Sequence, residues 1–436
     1  MNRRVFIAAA AAGTLALTVR RSHPAGDLGP VMYAWCGAMT PVSCRVVVRT
    51  KFPSPTVRLI ISQEEDFKDS TKSIAQASAE PTGCHLTFEV TKLSPKTVYF
   101  YGFEVTADGK TEWANVGRFQ TFPEGAADFQ VAFASCARTG STSPVFDTIA
   151  RNNPDLFIHM GDFHYENIAL EAPALRRDAY ALVHASETQS YLYRHFPIGY
   201  IWDDHDYLGN NTDGVAVTPA QKRAKTDARL TYQQCVPHYP LAFGDGDFPI
   251  GQAFTLGRAR FILTDNRSEK IPGDTMLGVA QKKWFKDEIR AAKTKHPLIV
   301  WVNTVPWIGV PNSLVDFWAG YDAERRELAD FFKAEGLAGR LCILSGDSHM
   351  LAIDDGSHSD YATGGGMPIP VFQAASLDQR PSAKGGPYSH PQIPGAGQFG
   401  LMQVRDNGKE IRVQWKGMTL DDKMAKGMGH EFIVKG

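Results

Sequence analysis

Four short apolar runs in this chain each end by releasing Cys, Asp, Tyr or His, and that repetition constrains the fold more than any single motif. Phe129-Gln130-Val131-Ala132-Phe133-Ala134 breaks into Ser135-Cys136-Ala137-Arg138. Ile158-His159-Met160 breaks into Gly161-Asp162-Phe163-His164-Tyr165, and the run 196–202 leads into Asp203-Asp204-His205-Asp206. Leu341-Cys342-Ile343-Leu344 leads into Ser345-Gly346-Asp347-Ser348-His349. Apolar runs this short read as strands, and helical patterns at 143–152, 172–193, 279–294 and 323–336 separate them. Strands alternating with helices predict an α/β sheet, with ligand groups gathered at the carboxyl ends of its strands.

Any one of these motifs has a plain structural account. Asp203, Asp204 and Asp206 are compatible with a solvated turn, Cys136 with a small buried hydrophobe, and His349 with a hydrogen-bonded core histidine. The four together point elsewhere. Three acidic residues crowded behind one strand repel one another unless cations neutralise them, so the rim reads as a metal site.

The ligand types sort by hardness. Asp162 is the natural bridge between two metals. Cys136, Tyr165 and His349 supply a thiolate, a phenolate and an imidazole, a set that best suits ferric iron. Asp204 and Asp347, together with Asp162, make an oxygen-rich neighbour suited to Ca²⁺, with Zn²⁺ or Mn²⁺ as alternatives; Asp203 and Asn210 are further oxygen donors. Two such metals clamp a phosphoryl centre and lower the pKa of a bound water toward neutrality. His205 beside Asp204 is a candidate proton donor to a leaving alkoxide. Arg138, Asn303 and Arg267 are candidates for phosphate contact, each with an equally good structural reading.

With 436 residues, two or three domains are expected, and at 43% hydrophobic residues the chain can bury large cores. The formal net charge of −1 gives no electrostatic case for nucleic acid or acidic membranes. Residues 1–27 carry Arg3-Arg4, then Phe6 and an apolar run to Val19 closed by Arg20-Arg21. That pattern predicts a twin-arginine-type signal peptide, too short for a stable membrane span, with Ala25 a candidate cleavage position. Export would make the protein periplasmic or secreted, with the twin-arginine translocase as a transient partner. The six cysteines lack CxxC spacing, and Cys36, Cys44 and Cys84 are candidates for pairing after export.

Residues 28–122 have a different texture. Arg45-Val46-Val47-Val48-Arg49, Val57-Arg58-Leu59-Ile60-Ile61, His85-Leu86-Thr87-Phe88-Glu89-Val90 and Val98-Tyr99-Phe100-Tyr101-Gly102-Phe103 read as strands joined by polar turns, hence a β-sandwich. Leu93-Ser94-Pro95-Lys96-Thr97-Val98-Tyr99 resembles the tyrosine corner of fibronectin-type-III-like domains. Phe122-Pro123-Glu124-Gly125-Ala126 reads as a linker, leaving 127–436 as the catalytic domain.

With these motifs in hand, the chain resembles the alkaline phosphatase D (PhoD-like) branch of the metallophosphoesterases. The resemblance rests on Ser135-Cys136, Gly161-Asp162 with Tyr165, Trp202-Asp203-Asp204-His205-Asp206 and Ser345-Gly346-Asp347 with His349. Leu263-Thr264-Asp265-Asn266-Arg267 and the stretch from Leu277-Gly278 through Gln281 to Trp284 support it. It implies a four-layer αββα core, twin-arginine export, and hydrolysis of phosphate mono- and diesters at an iron–calcium centre. It also implies that Cys136, Asp204 and Asp347 stand where ordinary dinuclear phosphoesterases carry Asp, Asn and His. Two places depart from the pattern: Asp206-Tyr207-Leu208-Gly209-Asn210-Asn211 lacks the Glu of the best-known members, and Asn303 lies where related enzymes often place a metal-binding His.

Two other functions fit the same residues. A phospholipase D-like or phosphotriester hydrolase would need an apolar pocket, for which Trp307, Phe317 and Trp318 are candidates, although such residues are more often core. A non-catalytic envelope protein could bind ligands through the sandwich, but His205 beside a full ligand set argues against it.

Overall fold

The computed structural model describes residues 28–53, 56–72, 75–77, 82–374 and 376–435. The expected signal peptide lies outside them. Three sheets organise the described residues. The largest has nine strands, and its centre holds the parallel strands Phe129–Ala134, Leu156–His159 and Ile198–Tyr200. The antiparallel C-terminal strands Gln398–Asp406, Glu410–Thr419 and Met424–Lys435 extend one side. Val31–Gly37, Ser43–Thr50 and His85–Thr91 extend the other, so strands from both sides of residue 122 share this sheet.

A seven-stranded sheet faces it, with Ala259–Leu263, Leu298–Asn303, Leu341–Ser345 and Val371–Ala374 parallel at its heart. Its strands are apolar on both faces, as a sheet covered on both sides requires. Phe261, Leu263, Val300, Val302, Cys342 and Leu344 point toward the nine-stranded sheet. Their neighbours Ile262, Ile299, Trp301 and Ile343 pack outward with Phe285, Ile289, Leu328 and Phe332 of helices Gly278–Lys293 and Asp322–Ala334. Phe133 meets Phe372 edge to face at 4.9 Å across the inter-sheet core, a contact adding about 0.5–1.5 kcal/mol beyond burial. Helices Val145–Arg151, Pro173–His184 and Glu187–His195 cover the outer face of the larger sheet, completing the expected four layers.

The expected sandwich is also present. The three strands Val31–Gly37, Ser43–Thr50 and His85–Thr91 face a four-stranded sheet of Thr56–Ser62, Thr71–Lys72, Val98–Ala107 and Lys110–Gln120. The Tyr99 hydroxyl accepts a 2.9 Å hydrogen bond from the Ser94 amide, the predicted corner.

Several details differ from the sequence reading. The helix expected over 172–193 is two helices, because Ser186 caps a new one by accepting from the Gln189 amide at 3.2 Å. Helix Pro219–Cys235 was not expected. Its buried stripe is Ala224, Ala228, Tyr232 and Cys235, and small Ala residues leave little apolar signal, although Thr218 and Gln221 form a capping box. All six cysteines are free and buried. Cys36 lies opposite Val46 in the strand register rather than Cys44, and the Cys84 carbonyl lies against the Thr50 amide at the far end of that strand. Trp307, Phe317 and Trp318 belong to the buried cluster around Trp301, so they form core rather than the wall of a lipid pocket.

Candidate metal centre

The carboxyl ends of both sheets converge on one rim. The Cys136 amide donates to the Gly161 carbonyl at 3.2 Å and the Ala137 amide to that of Asp162 at 3.0 Å, which locks two strand ends together. From the facing sheet, the Asp347 amide donates to Ser135 Oγ at 3.3 Å and the Gly346 amide to the Thr304 carbonyl at 3.1 Å. Cys136, Asp162 and Asp347 all sit at positive φ (61°, 55° and 63°), so each strand turns sharply at the residue that offers its side chain. Backbone of this kind gathers at functional sites, and here three non-glycine examples fall at matching strand ends.

Asp162 lies at the centre. Cys136 Sγ is 3.4 Å from its Oδ2, and the Tyr165 phenol donates to the same oxygen at 2.8 Å. His349 Nε2 lies 3.5 Å from the Tyr165 hydroxyl. Ligand atoms of Cys136, Asp162 and His349 fall within 4.8 Å of one another, and so do those of Asp162, Asp204 and His205. Asp162 is common to both groups.

Both imidazoles are oriented from behind. His349 Nδ1 lies 2.6 Å from the Arg380 carbonyl and His205 Nδ1 2.6 Å from Asn167 Oδ1. Each acceptor requires a proton on Nδ1, which leaves the Nε2 lone pair free, and that of His349 lies beside the Tyr165 hydroxyl. Burial lowers the pKa of both rings and favours that neutral form.

The electrostatics are those of a crowded anionic cluster. Burial, then Asp204 and Asp203, push the Asp162 carboxyl well up; burial and then Asp162 do the same to the Cys136 thiol and the Tyr165 phenol. Asp347 is raised by burial, with Lys384 opposing. Asp204 goes the other way. Burial would raise it, but Arg267, His205 and a 2.5 Å hydrogen bond from the Asn211 amide hold it below the usual carboxylate range. Asp162 Oδ1 and Asp347 Oδ2 are buried with no hydrogen-bond partner among the described residues. Buried carboxylate oxygens of this kind are costly unless a charge completes them, so this donor set fits cations.

Not every expected residue reaches the rim. Arg267 is 0% exposed, and its guanidinium grips Asp203 (Nε–Oδ1 2.5 Å, Nη2–Oδ2 3.0 Å) and Asp316 (Nη1–Oδ2 2.9 Å). Thr304 Oγ1 donates a further bond to Asp203 at 3.0 Å. Arg267 is therefore a counter-charge behind the cluster rather than a contact for substrate, and Asp203 is taken up by it instead of standing free for metal. Breaking such a buried pair typically costs about 3–5 kcal/mol. Burial raises the Asp203 carboxyl to about 7, with the Arg267 pairing opposing it. Asn303 is likewise committed: its amide donates to the Val305 carbonyl, and its oxygen accepts from Asn266 and Trp318. Its oxygen is thus spent and cannot serve a metal, and the residue is fully buried. Asp206 caps the short helix Asp204–Tyr207 and accepts from the His164 amide at 3.0 Å.

Arg138 is exposed, with its amide held by Asp378 at 2.6 Å, and Asn210 is exposed on the turn after that helix. The sequence reading missed Asn167, Thr304, Asp316 and Lys384. Lys384 pairs with Asp347 Oδ1 at 2.7 Å. Thr304 follows a strand end, a usable signal; Asp316 has none.

Similarity to known proteins runs through the segment that carries the rim. The family model described as PhoD-like phosphatase matches residues 131–385, more than half of the chain, and spans every residue of the rim. Alkaline phosphatase D of Bacillus subtilis (strain 168) is 25% identical over 344 residues, covering 67% of this chain. The chain spans 58% of the length of that relative. A solved structure of PhoD superposes with a TM-score of 0.72 at 19% identity, covering 93% of this chain and 90% of the other, a likeness that bears on the fold alone.

Proposed function

The chain belongs to the PhoD-like phosphatase family, and from that premise we propose that it is a metal-dependent hydrolase of phosphate mono- and diesters. One observation carries this reading: Asp162 is shared by two groups of potential ligands, each drawn from separate strand ends. Cys136, Tyr165 and His349 would hold a ferric ion on one side of it. Asp204 and Asp347 would hold a calcium ion on the other, with Asn210 as an additional oxygen donor beside Asn211. Zn²⁺ and Mn²⁺ are the alternatives. Bound there, the cations would polarise a phosphoryl oxygen and lower the pKa of a water.

The chain's own groups supply the rest. Tyr165 and Asp162 lie in hydrogen-bond contact, which fixes the phenol toward the shared carboxylate. His205 is held by Asn167 through Nδ1, so to act as general acid its Nε2 would first take up a proton, with Asp204 favouring the charged ring, and then pass it to a leaving alkoxide. A second reading has a specific basis, since a ring nitrogen of His205 is also close enough to Asp162 and Asp204 to be a ligand. Arg138, exposed beside Cys136, is proposed to meet phosphate oxygens as they enter. All the proposed ligands fall within 127–436, which leaves residues 28–122 a supporting role.

No helix among the described residues is long and apolar enough to cross a membrane. Export by the twin-arginine route to the periplasm or beyond is proposed from Arg3-Arg4 and the apolar run that follows. Metal analysis of protein purified from the exported fraction tests the reading, with phosphomonoester and diester turnover measured side by side. Two tightly held metals and activity lost on chelation are expected. Metal-free protein with full activity would overturn it.

A further inference from the structure

A phosphate ester brought to this rim needs positive charge from the protein, and few cations can reach it. Arg267 and Lys270 are buried, the first spent on Asp203 and Asp316, the second donating to the Asp316 carbonyl at 3.3 Å. Lys384 differs from both. Its side chain remains 31% exposed while Nζ donates to Asp347 Oδ1 at 2.7 Å. An ammonium has three N–H donors, and one of them accounts for that bond.

Its backbone is stapled to the residue between Asp347 and His349. The Lys384 amide donates to Ser348 Oγ at 2.8 Å, and the Ser348 hydroxyl donates back to the Lys384 carbonyl at 3.3 Å. The Gly386 amide bonds the Ile308 carbonyl at 3.2 Å and fixes the following turn. The ammonium therefore has a set position relative to the cluster, anchored on one Asp347 oxygen and in the field of Asp316, on a side chain that keeps part of its surface in solvent.

We propose that Lys384 is a phosphate-binding residue: its remaining N–H donors hold a non-bridging phosphoryl oxygen of the ester and of the phosphate product. This rests on the hydrolase reading above. A compact, fixed point charge is the lysine use that suits a phosphoryl oxygen, and donors aimed where charge collects give the larger part of such stabilisation.

The test compares wild-type protein carrying its native metals with Lys384→Gln and Lys384→Met. Calorimetric binding of inorganic phosphate is read alongside kcat, KM, metal content and melting temperature. Phosphate binding is expected to weaken about tenfold or more, and kcat/KM to fall by ~10², with metal content unchanged. Phosphate affinity and kcat/KM within twofold of wild type would overturn the proposal. Loss of metal in both variants, or failure of both to fold, would make Lys384 only the counter-ion of Asp347 and overturn it equally. If wild type turned over no phosphate ester yet bound phosphate through Lys384, the hydrolase reading would fall while the binding site stood.

Discussion

Gly161 lies against Asp203 so closely that a Cβ built on it would come within 2.3 Å of the Asp203 Cβ and 2.6 Å of its amide nitrogen. The residue also holds φ +91°, a conformation that side chains rarely adopt. The strand ends bearing Asp162 and Asp204 therefore meet only because this position has no side chain. Gly161→Ala should push the two apart, lowering metal content and turnover together and reducing the melting temperature. Wild-type metal content in this variant, measured by elemental analysis, would show that the approach is not needed.

His205→Ala separates proton donor from ligand. Metal content should stay near wild type while kcat falls by ~10². The loss should shrink for esters with good leaving groups, which need less protonation. Asn167→Ala, which frees Nδ1, should show a milder version of the same pattern. Loss of one metal equivalent in His205→Ala would instead make His205 a ligand.

Much of the rim was legible in the sequence because Cys136, Asp162, Asp204 and Asp347 each follow an apolar run within a residue or two. Strand ends fix where such side chains emerge, and the ligand types speak for themselves. Other assignments failed for a definite reason. Asn303 ends a strand in the same manner, yet its side chain turns to Asn266 and Trp318. Arg267 finds Asp203 across 64 residues and Asp316 across 49, pairings that no local pattern encodes. Asp360 reads from sequence as an ordinary loop residue in a Gly/Ser-rich stretch, yet its carboxylate accepts amides from Ala362, Gly366 and Met367 and so shapes that loop.

Tyr165 reports on the metal identity. A phenolate and a thiolate on ferric iron produce charge-transfer colour, so the purified protein should absorb in the visible. Tyr165→Phe removes the phenol that donates to Asp162 and should bleach or shift that band while sharply reducing turnover. A colourless, fully active protein containing only zinc would overturn the iron assignment.

Acid should destabilise the fold through histidines remote from turnover. His85, His159 and His184 are buried, and burial lowers each pKa from about 6.5 to about 3. The unfolded chain binds these protons first, so stability is fully present above pH ~6.5 and is lost as the pH falls toward ~3. His184 stacks on Tyr33 at 4.2 Å, and His184→Phe should keep that packing while flattening the slope. Urea midpoints between pH 7 and 4 check this; a midpoint independent of pH would contradict it.

The shared carboxylate is the most direct test of the whole account. Asp162→Asn keeps size and shape but removes the charge and one good metal-binding oxygen, so both ions should be disturbed together. Turnover of monoesters and diesters should fall in parallel, by ~10² or more, because both need the same activated water. Exposed Asp421→Asn serves as the control and should leave both readouts unchanged. Metal content and the two activities, measured on the same preparation, decide the matter: the account predicts joint loss, and an Asp162→Asn protein that kept both metals and most of its activity would contradict it.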